Sequence, residues 1–163
     1  MFIMLTKEIY DKWMETTQKE KIEQILKHVE AKERILDIGS GPGFLEEFLP
    51  AVAIDIDMKN LKKAKGLKVL GDASHLPFKK DCFKTIFCID IVHLLEKGFL
   101  AQVKEILDKN GIFIISIFCN RYNSKEKLDQ LKNKLNGFKI KESFIVKAKQ
   151  EWDAVVICSR PGL

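Results

Sequence analysis

The chain contains no apolar run near the roughly 18 residues that a membrane-spanning helix needs, so no bilayer segment is expected. Histidine is scarce: His28, His75 and His93 share no metal-ligand spacing, which predicts no structural zinc and no metal cofactor. The four cysteines (Cys82, Cys88, Cys119 and Cys158) form no C-x-x-C pair. Three of them lie in or beside apolar strand-like runs, so buried free thiols in a reducing compartment are the expectation. Met1–Leu5 is apolar but carries neither a basic leader nor a small-residue cleavage site, which points to a cytoplasmic protein. Repeats and low-complexity tracts are absent. Of the 28 basic residues only Arg34, Arg121 and Arg160 are arginine, and no interleaving of arginine with aromatics suggests a dedicated nucleic-acid module.

What is present is ordinary in amount but uneven in placement. With 163 residues, 46% hydrophobic and 31% charged, the chain is expected to form one domain: a helical arm over 1–32 and a core over 33–163. The formal charge of +5 comes from residues 121–163, which hold ten Lys/Arg against five Asp/Glu. A solvated lysine face is the plainer reading of that excess. An anionic acceptor or RNA is the alternative.

The most informative run is Ile35-Leu36-Asp37-Ile38-Gly39-Ser40-Gly41-Pro42-Gly43-Phe44-Leu45. It reads as a short apolar strand, a turn with glycine at every second position, and the start of a helix. Such a turn lets backbone approach a ligand, and the following helix start offers N–H groups to a carboxylate or phosphate. A nucleotide-like ligand follows. A dinucleotide fingerprint would need glycine or alanine where Phe44 stands, so nicotinamide-cofactor chemistry is disfavoured on that residue.

Along the chain, residues 6–30 read as a helix with Ile22, Ile25, Leu26 and Val29 on one face. Strands are expected over 34–38, 51–57, 67–70, 84–89 and 112–118. Helices are expected over 44–49, 58–65, 99–107 and 124–135, the last with Ser124 as N-cap. Two closing strands, 138–146 and 152–159, read as an antiparallel hairpin. The consecutive apolar residues Ala154–Cys158 suit a strand inside the sheet. Alternation of strands and helices implies an α/β fold with a mostly parallel sheet covered on both faces.

Five landmarks in register carry a resemblance. The glycine turn preceded by Asp37 is the first. Ala51-Val52-Ala53-Ile54-Asp55-Ile56-Asp57 follows, then Gly71-Asp72-Ala73-Ser74-His75-Leu76-Pro77-Phe78. A strand over Phe83–Ile89 with Asp90-Ile91-Val92-His93 at its end, and the turn Leu107–Gly111, complete the series. Together they resemble the class I S-adenosylmethionine-dependent methyltransferases, a small domain of the methyltransferase type 11 kind. The resemblance implies a Rossmann-like seven-stranded sheet in the order 3-2-1-4-5-7-6, S-adenosyl-L-methionine as cofactor and S-adenosyl-L-homocysteine as product.

It also implies roles. Asp55 would hold both ribose hydroxyls, and Asp72 and the Ala73 N–H would meet the adenine edge between Ile56 and Leu76. Gly39, Gly41 and Gly43 would line the ligand through their backbone, with Asp37 near the methionine ammonium. Asp90 would face the point of methyl transfer, its alternative being a helix cap. His93 stands near the reactive end, as a packed loop residue or a base. Tyr10 and Trp13, one turn apart, could cover the cofactor or stack on an acceptor.

Lys84 and Lys109-Asn110 depart from the family pattern at surface positions. No N-P-P-Y or D-P-P-Y follows the fourth strand, which speaks against nucleobase or glutamine amide nitrogens as acceptors. A sulfonium is already an activated methyl donor, so the protein need only align nucleophile, methyl carbon and sulfur. The expectation is methyl transfer to a small molecule. An RNA- or protein-directed enzyme and a non-catalytic cofactor-binding subunit are the alternatives. A shallow acceptor site leaves room for the N-terminal arm, a second copy or a partner subunit to complete it.

Overall fold

The computed structural model describes residues 6–91 and 97–162. Helix α1 (Lys7–Leu26) leads into β1 (Ile35–Ile38), β2 (Ala51–Asp55), α2 (Met58–Leu61), β3 (Lys68–Leu70) and β4 (Phe83–Cys88). Then come α3 (Lys97–Ile106), β5 (Leu107–Cys119), α4 (Ser124–Lys134), β6 (Lys139–Lys147) and β7 (Trp152–Ser159). The sheet runs β3-β2-β1-β4-β5-β7-β6. β7 pairs antiparallel with β5 and with β6, and the other neighbours are parallel. The insertion of the apolar β7 between two partners is the arrangement that its sequence calls for.

Side chains alternate across the sheet, and the alternation decides what each face does. Leu36, Ile38, Ile86, Cys88, Phe113, Ile115, Val156 and Cys158 pack with Phe99, Leu100, Val103 and Ile106 of α3 and Leu131 of α4. Ile35, Phe87, Ile114, Val155 and Ile157 pack instead with Ile22 and Ile25 of α1. This second face also carries buried polar groups at strand positions in phase with those residues: Asp37, Thr85, Ser116 and Asp153. Thr85 uses its hydroxyl to hold the chain after α1, donating to Lys32 O (3.1 Å) and accepting from Lys32 N (3.0 Å).

Several elements are shorter than the sequence suggests. The helix expected over 6–30 closes at Leu26, where the Lys27 N–H turns to Ile25 O. His28 then stacks on Phe144 at 3.8 Å between ring centroids and contacts Glu142 (2.6 Å), pinning the chain to β6. The helices expected over 44–49 and 58–65 reduce to a 3-10 turn, Leu45–Glu47, and the single-turn α2. Pro50 and Gly66 stop them, because β2 and β3 follow almost at once. Asn123, not Ser124, occupies the cap position of α4. The turn over Leu107–Gly111 is absorbed into an irregular start of β5. Leu107 opposes Phe83 and Ile112 opposes Thr85, so residues 108–111 bulge from the ladder.

Ile25 has no exposed surface and lies at the centre of the α1 contact. Ile25→Ala should lower unfolding free energy by about 2–5 kcal/mol in denaturant titration. A loss below about 1 kcal/mol would mean that α1 is not packed as described.

Candidate functional site

The strand order reverses between β1 and β4, which opens a crevice at the carboxyl ends of the parallel strands. Two adjoining clefts share Gly39 there. One, of about 340 Å³, is lined by Ile38, Gly39, Ile54, Asp55, Ile56, Gly71, Asp72, Ala73 and Ile91. The other, of about 220 Å³, is lined by Met14, Gln18 and Ile22 of α1, by Asp37, by the turn Gly39–Pro42 with Phe44 and Leu45, and by Ile89 and Asp90. All eight cofactor-binding candidates except Gly43 therefore border one cleft or the other. Gly43 sits just behind, where a Cβ would meet Ala64 Cβ at 2.5 Å with φ at +87°. A Cβ on Gly39 would strike Ile91 Cδ1 at 2.0 Å. A Cβ on Gly41 meets nothing within 4 Å, so that part of the turn faces open cleft.

Asp55 ties the turn to the end of β2. Its Oδ2 accepts the Gly41 N–H (2.8 Å) and its Oδ1 accepts the Asp57 N–H (2.8 Å). An ionised carboxylate offers about four lone-pair sites, so two remain after these bonds. Asp57 caps α2 through the Lys59 N–H (2.8 Å), the role assigned to it above Asp55. Asp72 accepts the Ser74 N–H (2.8 Å), and that bond holds its carboxyl below the ordinary range. Ile56 is 72% exposed and lines the cleft. Leu76 is half-buried against the core, its N–H held by Gln102 Oε1 (2.7 Å).

Asp37 is only 4% exposed and faces Glu46, a residue that the motif reading missed. Burial raises the Asp37 carboxyl well above its ordinary value, and the charges of Glu46 and Asp55 add to the rise. Among the described residues no donor reaches either Glu46 oxygen. The two carboxyls face one another beneath the glycine turn, which favours the protonated form of Asp37. Of the catalytic candidates, His93 lies outside the described residues.

Asp90 is placed as no motif indicated. It follows β4 with left-handed backbone (φ 59°) and donates its N–H to Ser116 O and Oγ (3.2 Å each). It caps no described helix. Its Oδ2 is bound by Lys21 Nζ, an ammonium from α1 with no exposed surface. Lys21 also reaches Glu151 Oε2 (2.9 Å) and Asp153 Oδ1 (3.2 Å), while Ser116 Oγ donates to Asp153 Oδ2 (2.8 Å). In the amide orientation that its neighbours require, Gln18 donates to Asp90 Oδ2 (3.2 Å) and accepts from Lys21 (3.3 Å).

Burial pulls the Lys21 ammonium down, but the charges of Asp153 and Asp90 more than reverse this and hold it above the ordinary lysine value. Burial and the neighbouring Asp90 push the Asp153 carboxyl up to about 7. Nothing local in the sequence marks Lys21 or Asp153. They meet only because α1 crosses the polar face of the sheet. The thiols take no part: burial pushes Cys119 up to about 11 and Cys158 up to about 12.

Residues 36–115 match the family described as "Methyltransferase domain". An uncharacterized protein of Methanocaldococcus jannaschii is 30% identical over 129 residues, covering 74% of this chain and 55% of that protein. The chain thus spans about half the length of the curated relative that it matches. Among solved structures, one similar chain belongs to a complex between the Haloferax volcanii Trm112 methyltransferase activator and a methyltransferase. Its TM-score is 0.77 at 13% identity, with 94% of each chain covered. A Methanococcus maripaludis protein assigned as an S-adenosyl-L-methionine-dependent methyltransferase has a TM-score of 0.71 at 19% identity, over 96% of this chain and 90% of that one. Magnesium protoporphyrin IX methyltransferase of Synechocystis, with bound S-adenosylmethionine, has a TM-score of 0.65 at 15% identity, over 99% and 87%.

Asparagine mimics a protonated aspartate, so Asp153→Asn fixes in place the state that the wild-type protein holds below neutrality. A carboxyl raised in the folded state contributes stability at acid pH, and that contribution is lost as pH rises through about 7. The melting temperature of wild type should therefore fall relative to Asp153→Asn between pH 5 and pH 8. A constant difference would contradict the assignment.

Proposed function

We propose that the chain, whose residues 36–115 match the methyltransferase-domain family, is an S-adenosylmethionine-dependent enzyme that transfers the methyl group to a small-molecule acceptor. The supporting observation is the pair of adjoining clefts. The larger offers carboxylates at both ends of an apolar slot, Asp55 and Asp72, spaced along the ends of β2 and the loop after β3. That is the chemistry an adenosine demands: acceptors for two ribose hydroxyls at one end and for an exocyclic amine at the other. Ile56 and Leu76 supply apolar faces for the ring. The methionine part would run along Gly39–Gly41 past Asp37 and bring the sulfonium toward Asp90.

The methionine part would enter the smaller cleft, and a small acceptor would meet it at the Asp90 end of that cleft. The cleft is closed on one side by α1 through Met14, Gln18 and Ile22, so the arm completes a site that the core alone would leave open. The residues then have plain tasks. The turn and Asp55 bind and orient the donor, α1 and Phe44 limit water, and Asp90 stands where the acceptor would enter. Bound cofactor supplies the activated methyl group, and alignment supplies most of the rate.

A second reading, action with a partner subunit, draws support from the edge strand β3. Leu70 is 54% exposed there and Leu67, just before it, is 73% exposed, and one structural neighbour was solved with an activator protein. A chain that sediments as a monomer and binds S-adenosylmethionine at full affinity alone would count against it.

Calorimetry with S-adenosylmethionine tests the main reading. Asp55→Ala removes two charged hydrogen bonds to ligand, each worth about 1.5–3 kcal/mol. Affinity should drop at least about a hundredfold while far-ultraviolet dichroism stays unchanged. Undiminished affinity would remove the site as drawn.

A further inference from the structure

The sheet ends in β3 on one side and β6 on the other, and the two edges differ. β6 is guarded: Lys139, Lys141 and Glu142 are exposed along it, the ladder slips between Ile140 and Glu142, and His28 lies against Phe144. Charges, a bulge and a covering segment are the usual defences of an open strand. β3 has no bulge, and its register with β2 is regular. β2 takes only alternate residues of it: the Ala53 N–H donates to Leu67 O (2.9 Å) and the Gly71 N–H donates to Asp55 O (3.0 Å). The N–H and C=O groups of Lys68 and Leu70 therefore point away from β2, and no described strand pairs with them.

The surface around these groups is apolar and of one charge. Leu67 and Leu70 are exposed, and so is Met58 at the start of α2, which packs beside β3. Lys59, Lys62, Lys63, Lys65 and Lys68 are exposed as well, and residues 58–71 include no acidic side chain. None of these five ammonium groups forms a salt bridge among the described residues. A second copy placed edge to edge would set the lysines against their own kind, which costs free energy. Nucleic acid fits poorly. The segment holds no arginine and no aromatic ring on which a base could stack, and exposed leucines offer phosphate nothing. A protein strand with acidic residues beside apolar ones meets both features, since its backbone continues the ladder while its carboxylates reach the lysines.

We propose that the β3 edge is a docking site for an acidic segment of a partner protein, which adds to the sheet as a further strand beside Lys68–Leu70. This rests on the second reading above, action with a partner subunit, and gives that partner its place and its chemistry. The backbone of Lys68 and Leu70 supplies the ladder bonds, and Leu67 and Leu70 supply the apolar contact. The lysines repel basic strands and give neutral ones nothing, so they select among partners. No residue of this surface borders the smaller cleft. Leu70 opposes Asp55 and precedes Gly71 of the larger cleft, so the variants that test the edge are placed at Leu67 and at the lysines.

The test uses the full chain, isotopically labelled, and short synthetic peptides as probes. One alternates Glu with Val and Ile, a second has Lys in place of Glu, and a third is the acidic peptide with a central Pro, which breaks the ladder. Amide hydrogen exchange and chemical shifts report the site residue by residue. The acidic peptide should slow exchange of the Lys68 and Leu70 N–H groups severalfold, and about 0.5 M salt should weaken it. The Lys and Pro peptides should bind at least about tenfold more weakly. Lys62→Glu combined with Lys65→Glu should weaken the acidic peptide and strengthen the Lys peptide. Leu67→Glu, at an exposed position, should abolish binding of the acidic peptide. Exchange at the two amides unchanged by the acidic peptide, equal binding of the Lys peptide, or tighter binding of polyuridylic acid at the same amides would overturn the proposal. So would a dimer in sedimentation that Leu67→Glu dissolves. S-adenosylmethionine bound at full affinity by the monomeric chain alone would instead count against the partner-subunit reading.

Discussion

The carboxylate of Asp55 is the constraint on which the site depends. It reaches from the end of β2 to the Gly41 N–H in the turn after β1, so two neighbouring strand ends are joined through one side chain. The turn cannot shift without losing that bond, which with the one from the Asp57 N–H leaves about half of the carboxylate's lone pairs free. Gly39 and Gly43 are excluded from carrying side chains by Ile91 and Ala64, while Gly41 borders empty space. The turn is thus packed where it meets protein and bare where a ligand would lie. Anchoring and recognition share the same atoms, which makes the geometry of the cleft a direct consequence of the parallel register of β1 and β2.

A second layer of organisation is the division of labour between the sheet's faces. The face under α3 and α4 is apolar, and at its carboxyl end Ile38 and Ile54 also line the larger cleft. The face under α1 mixes apolar residues with Asp37, Thr85, Ser116 and Asp153, and each of these has a specific partner. Thr85 holds the backbone of Lys32, Ser116 holds Asp153 and Asp90, and Asp153 meets Lys21. Buried polar groups of this kind are costly when unmatched, so they specify how α1 must lie. Because α1 also walls the smaller cleft, the same polar contacts that orient the arm shape the acceptor's entrance.

Much of this was legible in the sequence, for physical reasons that differ by element. The interior place of β7 follows from its apolar run, whereas the strand order was implied by the resemblance to the class I methyltransferases. The turn residues and Asp55, Asp72 and Ala73 are local, so motif spacing places them together. Helix lengths were overestimated where β2 and β3 begin directly after Pro50 and Gly66, since periodicity does not register how soon the chain must return to the sheet. Lys21, Asp153 and Glu46 were not legible. A lysine on an amphipathic helix reads as solvent-facing, and only the crossing of α1 over β4 and β7 brings it to three carboxylates. Asp37 was read as a residue near the ligand ammonium, and its burial against Glu46, which raises its carboxyl, is something no spacing rule could indicate.

The account's central claim is that the crevice at the ends of β1 and β2 accommodates an adenosyl group. A crystal structure grown with S-adenosylhomocysteine tests it most directly. The account predicts the ribose hydroxyls on Asp55 and the adenine ring over Ile56, its edge toward Asp72 and Ala73. An empty crevice, or the nucleoside bound elsewhere on the chain, would contradict it.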